Sequence, residues 1–281
     1  MKLNTILNYL DVQTNNIDTL FFDLDRTLLD SNKEISQNCL KMMKKCKSSG
    51  YHFGIATGRS LSSITPLLDK YNLYEIFEVI VANSGADIYM LPEMKNIKAE
   101  HLSREDVYKI KETFDEYPDI MIAFHNVNTM CATKRTSFIE NVRKNNNEEN
   151  FKLLFENVDF EEPSRVMLEF HEESTLEFIL SNPIKGLNGY HSEPEVYEYL
   201  KNHVSKSNGI AYYMAQLNKT MEQVICFGDG DNDSEMLNDC KIGVAMKNAT
   251  NRAIQAADIH WKYSNDEDGV FEFLKYLVRE E

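Results

Sequence analysis

Five short, strongly apolar runs constrain this chain more than anything else in it. They are Thr19–Asp23 (TLFFD), His52–Ala56 (HFGIA), Val79–Ala82 (VIVA), Val224–Gly228 (VICFG) and Ile242–Ala245 (IGVA). None alternates polar with apolar positions, so each asks to be covered on both faces, as strands of a parallel sheet are. Helical segments lie between them. Ser36 offers an N-cap, Cys39, Leu40, Met43 and Cys46 fall on one helical face, and Gly50 ends that segment. A second helix is expected from about Ser60 to Lys70, others over Asn208–Leu217 and from Asp233–Asn238, and a closing one around Asp266–Leu277. This alternation specifies an α/β fold with a parallel sheet between helical layers.

Between the two halves, from about Ile88 to Tyr190, the texture changes. Ser103 with Asp106 three residues on predicts a capped helix to about Tyr117, and Asp119–His125 (DIMIAFH) and Arg165–Phe170 (RVMLEF) read as strands. The polar run Asn145–Asn150 (NNNEEN) reads as a loop. The expected organisation is a core made of residues 1–87 and 191–281, interrupted by an inserted α+β domain over 88–190. No internal repeat is present.

Composition then narrows the function. Lys and Arg total 30 against 45 Asp and Glu, a formal net charge of −15, which repels phosphate backbones and anionic lipid. Nucleic acid and membrane surfaces are therefore poor partners. Cys39, Cys46, Cys131, Cys226 and Cys240 are odd in number and form no CxxC pair, as expected of reduced thiols rather than a disulfide framework or zinc site. The opening MKLNTILNYLDVQTNN makes a poor signal peptide, and no apolar run approaches the roughly 20 residues of a membrane helix. A cytoplasmic protein is the expectation.

Chemistry concentrates where strands end. Asp23-Leu24-Asp25-Arg26-Thr27 closes the first strand, and ligands of open parallel sheets bind beyond the carboxyl ends of the strands. A lone DxD more often caps a turn; its partners give this one weight. Gly228-Asp229-Gly230-Asp231-Asn232-Asp233 follows another strand, and carboxylates so crowded are usually kept ionised by a divalent cation. Oxygen-only ligands favour Mg2+ over zinc. An EF-hand loop is rejected because Ser234 stands where its turn glycine belongs and Cys240 where its bidentate Glu belongs. Thr57-Gly58-Arg59-Ser60 offers amide groups and a hydroxyl to a phosphate, although a capping turn explains it about as well. It is no P-loop, since no Lys follows. Lys206, just before a helix, would by itself be a solvated charge.

DLDRTLL (Asp23–Leu29), ATGRS (Ala56–Ser60), VSKSNG (Val204–Gly209) and GDGDND (Gly228–Asp233) occur in that order. Together they resemble the four motifs of the haloacid-dehalogenase-like superfamily. The insertion between the second and third motifs looks like the cap of its Cof-type, subclass IIB, sugar-phosphatase branch. Asn83-Ser84-Gly85-Ala86 is similar to a stretch common in that branch. The resemblance implies a Rossmann-like core with an inserted α+β cap, and Mg2+ as cofactor.

Carried over by position, the resemblance makes Asp23 a nucleophile that forms an aspartyl-phosphate and Asp25 the acid and base. Asp23, the Asp25 carbonyl and Asp229 would hold Mg2+, with Asp233 a further ligand or anchor. Leu24, Thr57, Gly58, Lys206 and Asn232 would hold the phosphoryl oxygens. The implied activity is hydrolysis of small phosphorylated metabolites, sugar phosphates first among them. A phosphotransferase or mutase using the same intermediate, and a non-catalytic sensor of phosphorylated ligands, are the alternatives. Two positions depart from the family pattern. Arg26 and Ser207 each stand where Gly is usual; for Arg26, a side chain pointing to solvent is the simpler expectation. His125, Asn126 and Arg135 are candidate substrate selectors in the cap, although taken singly each reads better as an ordinary strand-end or surface residue. Trp261 is expected in the core, and the first ~18 residues as a packing helix or loose tail. Oligomeric state is not readable.

Overall fold

The computed structural model describes residues 17–126, 129–145, 148–154 and 160–278. The first strand, β1 (Thr19–Phe22), and β3 (Val79–Ala82) are buried at every position, and β2 (His52–Ala56) at all but His52. Helix α1 (Gln37–Ser48) starts on Ser36, whose Oγ accepts the Cys39 N–H at 2.9 Å, and the chain leaves it through Gly50 at φ +96°. Its buried face is Cys39, Leu40, Met43 and Cys46, the set expected from helical spacing. Helix α2 (Leu61–Tyr71) follows β2. After β3 the chain turns through Asn83–Gly85 into β4 (Asp87–Met90), antiparallel to β3, and then β5 (Lys95–Ala99).

The inserted part carries α3 (Arg104–Phe114), β6 (Met121–Asn126), β7 (Thr129–Ala132), α4 (Ser137–Asn145), β8 (Asn150–Leu153), β9 (Val166–Glu169), α5 (Glu173–Ser181), β10 (Leu187–Glu193) and β11 (Val196–Lys201). Its six strands run in the order β10-β11-β9-β6-β7-β8. Phe114, Phe124, Leu168 and Tyr199 centre a core between one face of this sheet and its helices. The Ser103–Asp106 capping box at the start of α3 is formed in both directions.

Helix α6 (Lys206–Gln216), β12 (Val224–Gly228), α7 (Ser234–Asp239), β13 (Ile242–Ala245), α8 (Asn251–Ala256), β14 (Ile259–His260) and α9 (Gly269–Leu274) complete the chain. The large sheet reads β14-β13-β12-β1-β2-β3-β4-β5 and is parallel from β14 to β3. This is the Rossmann-like α/β core. Phe22 stacks on Phe227 across β1 and β12 with centroids 4.9 Å apart, and Trp261 is core, its indole N–H donating to the Gly269 carbonyl at 2.9 Å.

The chain divides into two compact units, one holding residues 67–97 and 205 onward with the segment up to 58, the other 59–66 and 98–204. The expected insertion, 88–190, therefore shifts at both ends. Residues 88–97 build β4 and most of β5, which extend the large sheet as an antiparallel edge, while 191–204 hold β11 of the smaller sheet. The causes differ: β5 is a largely exposed edge strand, whereas β11 is buried but carries Glu198 between its tyrosines, so neither shows the pure apolar run of a buried parallel strand. The N-terminal expectation lies almost wholly outside the described residues, as does the centre of Asn145–Asn150. Among the described residues no helix is long and apolar enough to cross a membrane.

Candidate active site

Parallel register brings the two acidic segments side by side. Phe22 pairs with Phe227, and the Asp23 N–H continues the ladder by donating to the Phe227 carbonyl at 2.9 Å. Asp23 thus leaves β1 beside Gly228-Asp229. Beyond it the chain winds back on itself: Leu28 N–H reaches the Asp23 carbonyl at 3.3 Å and Leu29 N–H the Leu24 carbonyl at 2.8 Å. Each bond closes over five residues, which buries Asp23, Leu24 and Thr27 while Asp25 stays 37 % exposed in its side chain.

The second segment is held by its own acid. Asp233 Oδ2 accepts the N–H groups of Asp229 and Gly230, each at 2.9 Å. A Cβ on Gly228 would lie 2.6 Å from the Asp233 Cβ, so glycine is required for this approach. One oxygen from each of Asp23, Asp229 and Asp233 fits within 4.8 Å of the others, and all three residues are buried.

Lys206 enters this cluster from the first turn of α6, which Ser205 caps by accepting the Asn208 N–H at 3.2 Å. A cation at a helix N-terminus opposes the helix dipole. Here its ammonium donates to Asp23 Oδ1 at 2.7 Å and Asp233 Oδ1 at 2.6 Å and is 1 % exposed. Burial opposes its charge, but the attraction of Asp23 and Asp233 outweighs that and raises its pKa. Burial likewise pushes the Asp23 carboxyl well above the usual range, against the pull of Lys206. Asp229 is pushed up to about 6 by burial and the adjacent Asp233, against Arg26, Lys206 and a hydrogen bond from Thr27. Three carboxylates against one buried ammonium leave an anionic, oxygen-only site of the kind that suits a hard divalent cation.

The remaining predicted residues fall nearby in the same unit or at positions that sequence alone could not resolve. Thr57, buried, follows β2, its N–H donating to the Val81 carbonyl at 2.8 Å, with Gly58 next in the chain. Asn232 shares the 3-10 turn Asp231–Asp233. Asp25 Oδ1 accepts from Lys33 Nζ at 2.6 Å. In the inserted unit His125 pairs with Glu148 at 2.8 Å, Arg135 with Glu140 at 2.7 Å, and the Asn126 side chain accepts the Glu161 N–H at 3.2 Å, so all three candidate selectors are engaged within that unit.

Four further residues take roles that the sequence reading did not assign to them, although Arg26, Thr27 and Gly85 lie within stretches it singled out. Thr27 donates to Asp229 Oδ1 at 3.3 Å. Thr250 N–H donates to the Asp229 carbonyl at 2.8 Å, tying the loop after β13 to the acidic turn. Gly85, at φ +103°, passes so close to α6 that a Cβ would lie 2.1 Å from the Ser205 carbonyl oxygen, so it seats the turn that launches Lys206. Arg26 does not simply point to solvent: its side chain is 61 % exposed, yet its Nε lies 3.4 Å from Asp229 Oδ2. Its φ of +61° gives a physical reason for glycine to be usual at this position.

A Rossmann-like sheet with buried carboxylates at the carboxyl ends of adjacent strands defines, with the proteins it resembles, an enzyme of the phosphatase class. The sequence matches the family described as haloacid dehalogenase-like hydrolase over residues 20–274, and the chain belongs to that family. A Bacillus subtilis protein named 5-amino-6-(5-phospho-D-ribitylamino)uracil phosphatase YitU is 28% identical over 278 residues, spanning 90% of this chain and 94% of its own. The crystal structure of a Thermotoga maritima protein superposes with TM-score 0.77 at 26% identity, covering 94% of this chain and 98% of that one. A sugar phosphatase of subclass IIB shares the fold at TM-score 0.77 and 20% identity, over 93% and 100% of the two chains.

Proposed function

We propose that this chain is a Mg2+-dependent phosphatase of small phosphorylated metabolites, with sugar and polyol phosphates as the substrate class. The observation that carries the proposal is Asp23 held by Lys206 within 4.8 Å reach of Asp229 and Asp233, with the more exposed Asp25 two residues on. Asp23, the Asp25 carbonyl and Asp229 would hold the ion. Asp233, whose two oxygens already serve Lys206 and two backbone N–H groups, orients the turn that presents Asp229. When bound, Mg2+ offsets the charge on the phosphoryl oxygens that one anion must approach to attack another.

The chain's own groups divide the rest of the chemistry. An Asp23 carboxylate oxygen forms a bond to phosphorus as the ester P–O bond breaks, and Asp25 gives its proton to the leaving alkoxide. Water then attacks the aspartyl-phosphate, Asp25 takes its proton, and inorganic phosphate leaves with Asp23 regenerated. Lys206 fixes the Asp23 rotamer throughout. Thr57, Asn232 and the amides of Leu24 and Gly58 are assigned to the phosphoryl oxygens. Selection of the leaving group is assigned to the inserted unit, whose sequence carries no readable motif.

The test is phosphate release from a panel of sugar and polyol phosphates, ribityl phosphates among them, with Mg2+ and with EDTA. Hydrolysis that EDTA abolishes and Asp23→Asn eliminates is expected. Turnover undiminished in a folded Asp23→Asn variant would end the nucleophile assignment.

A further inference from the structure

Arg26 adopts φ +61°, a conformation that L-residues other than Asn, Asp and His rarely take. This solvent-facing position would carry glycine at lower backbone cost, yet it bears a long cation that is tied down. The Asn248 side-chain amide donates to the Arg26 carbonyl at 2.8 Å, and the guanidinium Nη2 donates back to the Asn248 carbonyl at 3.2 Å. Between these ties Nε meets Asp229 Oδ2 at 3.4 Å, where the carboxylate side chain is only 5 % exposed. The two oxygens of Asp229 are thus divided: Oδ1 faces the Thr27 hydroxyl and Oδ2 faces Arg26. Lys206 hydrogen-bonds the other two acids, Asp23 and Asp233.

We propose that Arg26 is a tethered rival for the cation at Asp229, a counter-charge that a divalent ion must displace to load the site. Its guanidinium stands on the outer side of the carboxylate and has solvent to swing into. An ion bound by Asp229 and this guanidinium compete for the same carboxylate, so loading weakens or breaks the pairing. Its charge offsets that of the acidic cluster and lowers the affinity for the ion. The inference rests on the Mg2+ reading above, and the test separates the two.

Arg26→Gln is the informative variant, because Gln meets the same left-handed backbone demand as Arg while losing the charge. Arg26→Gly would also relieve the backbone and mix two effects. Metal-stripped wild type and variant are titrated with MgCl2 by calorimetry, and their thermal unfolding is followed in EDTA and in saturating Mg2+. An exposed ion pair of this kind predicts Mg2+ binding roughly two- to five-fold tighter in Arg26→Gln. The variant should also melt below wild type in EDTA and match it in saturating Mg2+. Adding Asp229→Asn to wild type and to Arg26→Gln should cancel the difference between them. Equal or weaker Mg2+ binding by Arg26→Gln overturns the proposal while the metal reading stands. So does unchanged Mg2+ binding combined with weaker binding of inorganic phosphate to the loaded variant, which would place Arg26 on the substrate. A wild-type titration with no Mg2+ binding overturns the metal reading and this inference together.

Discussion

Replacing Lys206 by Met keeps much of the side chain's length and removes a charge that two buried carboxylates share at 2.7 and 2.6 Å. Lys206 is 1 % exposed and Asp233 likewise 1 %, so water cannot take the place of the lost ammonium. Breaking a buried ion pair by deleting one partner costs about 3–5 kcal/mol, because the other charge is left uncompensated. At about 2–4 °C per kcal/mol for a unit of this size, the melting temperature should fall by roughly 6–20 °C. The assay is thermal unfolding by circular dichroism in EDTA near pH 7.5, repeated at lower pH. Asp23 already has a raised pKa in the folded protein, so acidification lets it take a proton and relieves the penalty. The gap between variant and wild type should therefore shrink as the pH is lowered, and at neutral pH it should narrow when MgCl2 is added. A variant melting within about 2 °C of wild type in EDTA at neutral pH would refute the view that Lys206 neutralises this cluster.

Under the proposed Mg2+ reading, Asp229 gives metal loading a pH dependence. Its pKa is raised from 3.8 to about 6, so below that value a proton must leave before an ion can bind, and Mg2+ affinity should drop by up to about tenfold per pH unit. Titration calorimetry between about pH 5 and 8 should find this slope on the acid side and a plateau above about 7. The same raised pKa means that, without metal, the stability due to Asp229 is fullest below about 4 and is lost as pH climbs through 6. Gly85→Ala should cost at least about 2 kcal/mol, since it sets a side chain at φ +103° and drives its Cβ to 2.1 Å from the Ser205 carbonyl oxygen. Urea unfolding measures the stability, and the kcat of the folded fraction should fall too, because the clash bears on the start of α6, where Lys206 sits.

The core was legible where burial leaves one reading of the chain. β2, β3, β12 and β13 have the expected bounds because a strand covered on both faces is a pure apolar run. Ser36 and Ser103 act as caps because capping chemistry is local and is written within four residues. The acidic cluster was legible for a related reason. The carboxyl ends of parallel strands lie on one edge of the sheet, so two Asp-rich turns after two such strands fall on the same edge, and the pairing of β1 with β12 sets them side by side. What stayed hidden depends on partners that no local pattern names. Lys95–Ala99 (KNIKA) is polar and largely exposed, and only pairing at the sheet edge makes it a strand. Asn248, 222 residues from Arg26, decides where that guanidinium rests. Gly85 matters through a carbonyl 120 positions away in the chain, at Ser205. The same reasoning explains why the inserted unit resists a functional reading. Its His125 and Arg135 are spent on Glu148 and Glu140, pairings that a selector of phosphorylated substrates would have to break or exploit. The proposal that this unit selects the leaving group predicts that exchanging its segments between relatives changes substrate preference, with turnover through the proposed Asp23, Lys206 and Asp229 site as the readout.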